Sequence, residues 1–310
     1  MAPIMARATI KIGTRGSPLA LAQAHEVRRR LALAHRCEEA AFKIIVIRTS
    51  GDVIQDRPLS EVGGKGLFTR EIDTAMLRGE IDAAVHSSKD IPTFLPEGIF
   101  IAGYLPREDV RDALIAARAG GFQDLPRGAT LGTASLRRQA QAKRLRPDLN
   151  VVLLRGNVET RLRSAETGAV DATILAYAGL KRLGLAHRAT ALFETNEFVP
   201  AVGQGAIGIT ARLNDLRTIE AFTPIIDADT GLALSVERAF LAVLDGSCRT
   251  PIAGYASVSR GRISFRGMAL RVDGSEVYEV EASGDVGAAH EMGEAAGRDL
   301  KRRLPVGFFE

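Results

Sequence analysis

Two adjacent arginines, Arg137 and Arg138, lie in the segment GTASLRRQ, where an apolar run ends in small hydroxyl residues and a helix is predicted to begin. Backbone N–H groups at a helix start have partial positive charge, and the hydroxyls of Thr133 and Ser135 can donate hydrogen bonds. Two guanidinium groups can bind carboxylate or phosphate oxygens in bidentate fashion. The segment therefore indicates an anion site, although an isolated arginine pair more often belongs to a solvated helix face.

Further polar side chains follow apolar runs elsewhere in the chain. Arg15 and Ser17 follow the first run in GTRGSPLA, and Lys89 and Asp90 follow another in VHSSKD. Ligands of open α/β sheets bind at the carboxyl ends of strands, so these groups would converge if the sheets are parallel, or would otherwise be scattered over the surface. Lys65 lies in the Gly-rich VGGKG loop before a predicted helix, and Arg155 follows another apolar run in LRGNVETRL, with Arg161 two helical turns or less further on.

The elements that must position these residues alternate between apolar strands and amphipathic helices, which predicts α/β structure for the first two thirds of the chain. Strands are predicted at Thr9 to Thr14, Phe42 to Thr49, Ile81 to His86, Ala113 to Ala117, Thr130 to Thr133, Val151 to Leu154 and Ala172 to Leu175. Helices are predicted at Leu19 to His35, Leu67 to Leu77, Leu136 to Leu145 and Val158 to Ala165. The pattern of the last third of the chain predicts a small α+β domain. It contains a helix from Leu232 to Leu244, three strands between Ile252 and Ala282, and a helix from Ala288 to Leu304.

Composition restricts the class of protein. A chain of 310 residues with 46% hydrophobic content is long enough for two or three domains. The formal charge is only +4, and no window has the roughly 18 continuous apolar residues of a membrane span, so neither a nucleic-acid nor a membrane partner is expected. Cys37 and Cys248 are the two cysteines, which excludes a disulfide framework and agrees with a cytoplasmic protein. No metal-binding pattern stands out among the five histidines.

Ten motifs in fixed order closely resemble the porphobilinogen deaminase family, and together they span nearly the whole chain. Each one alone is a weak match, whereas accidental agreement of all of them is very improbable. They are TRGSPLALAQ from Thr14, GDVIQDRPLSEVGGKGLF from Gly51, AVHSSKD from Ala84, REDVRDA from Arg107, GTASLRRQ from Gly132, RPDL from Arg146, LRGNVETRL from Leu154, AGLKRLGL from Ala178, PAVGQGA from Pro200 and GSCRTP from Gly246.

The resemblance implies two α/β domains similar to the lobes of periplasmic binding proteins, followed by a smaller C-terminal α+β domain. Domain 1 would comprise residues 1–105 with 204–224, domain 2 residues 106–203, and domain 3 residues 225–310. The chain would thus return to the first domain near GQGAIGITARL. A monomer is expected.

The implied activity is that of a transferase that joins four porphobilinogen molecules head to tail, with release of ammonia, to give hydroxymethylbilane for heme biosynthesis. The implied primer is a dipyrromethane cofactor attached to Cys248 through a thioether. A thiolate is a soft nucleophile able to form such a bond, and Arg249 would favour the thiolate. Cys37, without a comparable motif, is interpreted as a small buried side chain.

The resemblance also implies roles for the polar residues. Asp90 is the expected catalytic carboxylate, which would stabilise cationic pyrrole species, although from HSSKD alone a pair with Lys89 or a turn cap is the better interpretation. Positions matching the cofactor site are Lys89, Asp90, Thr133, Ser135, Arg137, Arg138, Arg155 and Gly156. Positions matching the substrate site are Arg15, Ser17, Arg161 and Arg182, with Lys65 as a loop or gating residue. Gln204 is expected in a hinge or in a backbone contact, and Glu61 departs from the basic residue that several relatives have in this loop.

Two alternatives remain open from the residues themselves. A non-catalytic, two-lobed protein that binds carboxylates or other anions would explain the arginines but not the GSCRTP segment or the third domain. A phosphoryl-handling enzyme is disfavoured, because VGGKG lacks the GxxxxGK[ST] spacing of a Walker loop.

Overall fold

The computed structural model describes residues 9–53, 66–245 and 250–309. The strands in chain order are β1 (Ile10–Thr14), β2 (Phe42–Val46), β3 (Ala83–Ser87), β4 (Ile99–Tyr104), β5 (Asp112–Ala116), β6 (Thr130–Gly132), β7 (Asn150–Val152), β8 (Ala172–Ala176), β9 (Ala191–Leu192), β10 (Ile207–Arg212), β11 (Ile252–Ser259), β12 (Arg262–Leu270) and β13 (Val277–Asp285). The helices are α1 (Pro18–His35), α2 (Ser50–Val53), α3 (Arg70–Leu77), α4 (Leu136–Leu145), α5 (Val158–Glu166), α6 (Tyr177–Arg182), α7 (Leu216–Phe222), α8 (Ala228–Val243) and α9 (Ala289–Arg303). None of the helices formed by these residues is long and apolar enough to cross a membrane.

The first of two compact units contains the described residues within 9–53, 66–107 and 206–231. Its sheet has the order β2-β1-β3-β10-β4, in which β1 is parallel to β2 and β3, whereas β10 is antiparallel to β3 and β4. Helix α1 packs in the buried core of this unit through Ala24, Val27 and Leu31, whose spacing places them on one helix face. The late segment that forms β10 is therefore an interior strand of the first sheet.

The second unit contains the described residues within 108–205, 232–245 and 250–309. One of its sheets has the order β7-β6-β8-β5-β9, with β6 parallel to β7 and β8, and β5 antiparallel to β8 and β9. A cluster of aromatic rings fills part of its core, where the Phe193 and Phe198 centroids lie 4.6 Å apart and those of Phe122 and Phe193 5.2 Å apart.

The C-terminal part of the second unit is an antiparallel sheet of β11, β12 and β13, against which α9 packs. This sheet shares a buried core with α4 of the same unit, because Ala140 and Val199 cluster with Ala253, Met268 and Leu270. The sheet of β11 to β13 therefore supports α4, the helix whose first turn contains the arginine pair.

The predicted fold class, with two α/β parts and a smaller C-terminal α+β part, is confirmed. Both α/β sheets are mixed and not wholly parallel, since β5 and β10 are antiparallel members. Strands β4 and β10 were not among the predicted elements. Several predicted ends also differ: β2 ends at Val46, α3 begins at Arg70 and α8 begins at Ala228. The reason is that apolar patterns report burial, whereas partner hydrogen bonds determine where a strand ends.

Candidate functional site

The end of β1 and the start of α1 position Arg15 and Ser17 in the first unit. Ser17 is the N-cap of α1, and its Oγ accepts the backbone N–H of Ala20 at 3.3 Å. The half-buried Arg15 places its guanidinium carbon 4.2 Å from the centroid of the Phe68 ring. Capping and ring contact thus hold both predicted substrate residues close to the carboxyl end of β1.

Lys89 and Asp90 lie in a 3-10 turn, Ser88–Asp90, that directly follows β3. The backbone N–H of Ser88 donates to the Ala206 carbonyl at 2.9 Å, which fixes the start of the turn within the first unit. Lys89 and Asp90 are partly exposed, whereas Ser88 is buried. Because β1 and β3 are parallel neighbours, their carboxyl ends bring Arg15 and Ser17 to the same sheet edge as Lys89 and Asp90.

Side chains behind this edge are buried and hydrogen-bonded. Gln23 of α1 donates through Nε2 to Ser87 Oγ at 2.9 Å, which connects α1 to the end of β3. His86 contacts Thr210 Oγ1 through Nε2 at 3.2 Å. Burial lowers the pKa of His86 to about 4, and the positive charge of Arg15 lowers it further. His86 is therefore a neutral structural residue of the sheet near neutral pH.

In the second unit, the short strand β6 leads into α4 through Thr133 and Ser135. Ser135 is the N-cap of α4, with Oγ accepting the Arg138 N–H at 3.4 Å, and its own N–H donates to Thr133 Oγ1 at 3.1 Å. The predicted helix start after GTAS is confirmed. Both hydroxyl groups contribute to shaping the turn that places Arg137 and Arg138 in the first helical residues.

Arg137 and Arg138 both bind one buried carboxylate, that of Asp112 at the start of β5. Nη2 of Arg137 lies 2.7 Å from Asp112 Oδ2, and Nε and Nη2 of Arg138 lie 3.0 and 2.8 Å from Oδ1. Asp112 has no exposed surface, and the two arginines are only 5% and 4% exposed. Burial lowers the pKa of Arg137 and so does the charge of Arg138, whereas Asp112 raises it. The pair is thus buried and ion-paired, unlike a solvated helix face.

A second set of contacts connects α4 to the chain before β10. Nη1 of Arg137 donates to the Val199 carbonyl at 2.7 Å, and the Gln141 amide donates to that carbonyl at 3.0 Å and accepts the Val199 N–H at 2.7 Å. The guanidinium carbon of Arg137 also lies 5.7 Å from the Phe198 ring centroid. The Nε atom of Arg137 is buried and has no hydrogen-bond partner among the described residues.

The LRGNVETRL segment lies beside the start of α4. The Thr133 N–H donates to the Val152 carbonyl at 2.9 Å, and the Leu154 N–H donates back to the Thr133 carbonyl at 3.3 Å. Arg155 follows directly, half-buried, and Gly156 has a φ of 108° that favours glycine. The structure therefore brings Arg155 and Gly156 to the edge that holds Thr133.

Arg161 and Arg182 are each bonded to the backbone of the second unit. Arg161, in the first turns of α5, donates from Nε to the Gly156 carbonyl at 3.0 Å. Arg182, at the end of α6, donates from Nη2 to the Gly205 carbonyl at 2.9 Å. Gln204 is buried and donates from Nε2 to the Val110 carbonyl at 2.8 Å, which is the backbone contact that was one of its two expected roles.

The predicted site residues that the structure describes thus fall into two groups, one in each unit. Asp112, Gln141 and the Val199 backbone were missed. REDVRDA contained Asp112, yet nothing local indicates that its carboxylate is buried against residues 25 and 26 positions later. Cys248, Lys65 and Glu61 lie outside the described residues.

The second group has an excess of positive charge at the arginine pair. Two buried guanidinium groups face a single buried carboxylate, so the trio retains one net positive charge, and the buried Nε of Arg137 remains a donor without a partner in the described part of the chain. A buried cation without compensation is costly, which favours an anion at this place. Within the described residues no three His, Cys, Asp or Glu side chains are arranged to hold a metal ion.

Comparisons with known proteins give two matching family models. One is described as “Porphobilinogen deaminase, dipyromethane cofactor binding domain” and matches residues 10–220, and the other as “Porphobilinogen deaminase, C-terminal domain” and matches residues 232–302. Porphobilinogen deaminase of Nitrobacter winogradskyi is 60% identical over 299 residues, which cover 96% of this chain and 94% of that relative. The protein of the same name from Nitrobacter hamburgensis is 59% identical with the same coverage.

Similar solved structures are more distant. A periplasmic substrate-binding protein of an ABC transporter from Coxiella burnetii has a TM-score of 0.44 and 15% identity, and covers 74% of this chain and 97% of its own. The methionine-binding protein MetQ has a TM-score of 0.46 and 12% identity, and covers 74% and 94%.

Proposed function

This chain belongs to the porphobilinogen deaminase family, and we propose which of its own residues bind the cofactor, bind the substrate and assist the reaction. As a member, the chain is a transferase of tetrapyrrole biosynthesis that joins porphobilinogen molecules into hydroxymethylbilane and uses a dipyrromethane cofactor. The alternative of a non-catalytic anion-binding protein is not favoured.

The net positive charge at Arg137, Arg138 and Asp112 is the observation that best supports the cofactor assignment. Each pyrrole ring carries an acetate and a propionate, and planar guanidinium groups suit such carboxylates. We assign the cofactor carboxylates to Thr133, Ser135, Arg137, Arg138, Arg155, Gly156 and Lys89. When bound to Cys248, the dipyrromethane supplies the pyrrole carbon to which the first substrate is joined.

Asp90 is the carboxylate we assign to the chemistry. Loss of ammonia from porphobilinogen leaves a cationic substrate fragment, and a carboxylate placed beside the pyrrole N–H lowers the energy of that cation. The turn Ser88–Asp90, fixed by the Ser88 hydrogen bond to Ala206, supports a defined position for this side chain. Its partial exposure supports access for a ligand.

Substrate carboxylates are assigned to Arg15, Ser17, Arg161 and Arg182. The Nε of Arg161 and one Nη of Arg182 contact backbone carbonyls, which orient the guanidinium groups. Lys65, outside the described residues, is assigned to loop positioning or gating. We further propose that the chain is a cytoplasmic monomer with three domains. They comprise residues 1–105 with 204–224, residues 106–203 and residues 225–310.

The decisive experiment is the intact mass of the purified chain. We expect an excess equal to two pyrrole units, together with ammonia release from porphobilinogen. Cys248→Ser should remove the added mass and the activity, whereas the matched control Cys37→Ser should keep both. An active chain without added mass would contradict the cofactor assignment, and binding of porphobilinogen without ammonia release would indicate the non-catalytic alternative.

A further inference from the structure

Asp112 lies at the edge of its sheet that contains the candidate site, because β5 is antiparallel to its neighbours β8 and β9. Residue Asp112 pairs with Ala176, the last residue of β8, and β8 is parallel to β6. The first residue of an antiparallel strand therefore lies at the same edge as the carboxyl ends of β6 and β8. That edge is where Thr133 and Ser135 begin α4.

The arginine pair requires a counter-charge at this place. Arg137 and Arg138 lie in the first turn of α4, where the helix dipole is positive and opposes a cation. Adjacent helical side chains point about 100° apart, so two neighbouring guanidinium groups do not normally converge. Here both reach one carboxylate, each on its own oxygen, at 2.7 and 2.8 Å.

We propose that Asp112 is a positioning residue, whose carboxylate orients both guanidinium groups toward the carboxylates of the dipyrromethane cofactor during its assembly. This inference rests on the proposed function. The Asp112 contacts use Nη2 of Arg137 and Nε with Nη2 of Arg138, so Nε of Arg137 and Nη1 of Arg138 lie outside the ion pair. These two atoms are the donors assigned to the ligand.

Arg137 is held on two sides and Arg138 on one. The Val199 carbonyl and Asp112 together bind both terminal nitrogens of Arg137, whereas the hydrogen bonds of the Arg138 side chain to described residues go to Asp112. Loss of the Asp112 charge should therefore disorient Arg138 more than Arg137. Since a displacement of about 1 Å can cost about 100-fold in rate, assembly of the holoenzyme should be sensitive to this residue.

The test follows cofactor assembly on the full-length chain produced without porphobilinogen. Intact mass is recorded against time after porphobilinogen is added, and the thermal unfolding midpoint is measured on the same samples. Asp112→Asn should fold but gain the two-pyrrole mass roughly 10- to 100-fold more slowly than the wild type. Asp112→Glu keeps the charge but moves it by one methylene, and should gain the mass at a rate between those two.

Leu114→Ala is the matched control, because Leu114 is a fully buried residue of the same strand and has no contact with the ion pair among those described. It should lower the unfolding midpoint yet assemble the cofactor at the wild-type rate. The inference is overturned if Asp112→Asn or a folded Asp112→Glu assembles as fast as the wild type, or if Leu114→Ala is slowed as much as Asp112→Asn. If the wild-type chain itself gains no mass, the proposed function is wrong and the inference falls with it.

Discussion

The buried carboxylate of Glu237 accepts the backbone N–H of Gly203 at 2.8 Å, although the two residues are 34 positions apart. Its other oxygen accepts the Ala256 N–H, also at 2.8 Å, and the side chain has no exposed surface. One residue of α8 therefore connects the segment before β10 to the strand β11. Both contacts lie within the second unit.

Replacing Glu237 by Gln should destabilise the chain. An amide offers one acceptor oxygen and one NH2 donor, so one of the two backbone N–H groups would face a donor in place of an acceptor. An unsatisfied buried group of this kind costs about 1–3 kcal/mol in the free energy of unfolding, measurable by urea denaturation. The exposed Glu291→Gln in α9 is the control. Equal stability of the two variants would contradict the importance of this contact.

Asp90→Asn should lower turnover by about 10²- to 10³-fold while leaving the fold intact, because the amide keeps the size of the side chain and removes its charge. Ammonia release from porphobilinogen and the thermal unfolding midpoint are the two measurements. Glu97→Gln, an exposed carboxylate seven residues later in the same segment, should leave both unchanged. Near-normal turnover of Asp90→Asn would reject the assigned role.

Gly156→Ala should lower the free energy of unfolding more than an ordinary glycine substitution does. At a φ of 108°, an added Cβ would lie 2.9 Å from Cβ and Cγ2 of Thr160, so strain and steric overlap coincide. The expected loss is about 1–3 kcal/mol in the free energy of unfolding, together with slower cofactor assembly because Arg155 is displaced. Gly168→Ala is the control: its φ is 74° and an added Cβ would lie in open space, so it measures the loss of stability caused by the backbone conformation alone. A loss no larger than that of Gly168→Ala would argue against this close packing.

Two buried groups of the first unit should give opposite pH dependences of stability. Burial lowers the pKa of His86 to about 4, so between about pH 4 and 6.5 the unfolded chain binds more protons there and stability rises with pH. Burial raises the pKa of Asp73 to about 6, so the folded chain binds more protons there and stability falls as pH rises from about 4 to 6. The His86 effect amounts to about 3 kcal/mol, and the Asp73 effect, which has the opposite sign, offsets part of it in the wild type.

Urea denaturation between pH 4 and 7 separates these groups. Relative to the wild type, His86→Gln should become more stable as pH falls from 6.5 to 4, whereas Asp73→Asn should become more stable as pH rises from 4 to 6. The exposed His25→Gln is the control and should follow the wild type across the range. Parallel curves for all four proteins would show that neither buried group changes its protonation on folding.

The sequence by itself determined the features that depend on neighbouring residues. Helix α4 begins at Leu136, as GTASLRRQ predicts, because the N-cap Ser135 needs only its side-chain oxygen and backbone N–H groups two or three residues later. The order of the motifs likewise indicated the family, because motifs are recognised from residue types and their spacing along the chain, without the distances between side chains.

Only the tertiary structure decided which distant groups meet. Antiparallel β5 brings Asp112 to the arginine pair, and Gln141 binds the Val199 backbone 58 positions away. Strand direction and such pairings depend on packing across the whole sheet, and local propensity contains no information about them. The sequence therefore predicted an anion site at Arg137 and Arg138, whereas it gave no sign of the buried carboxylate that pairs with both arginines.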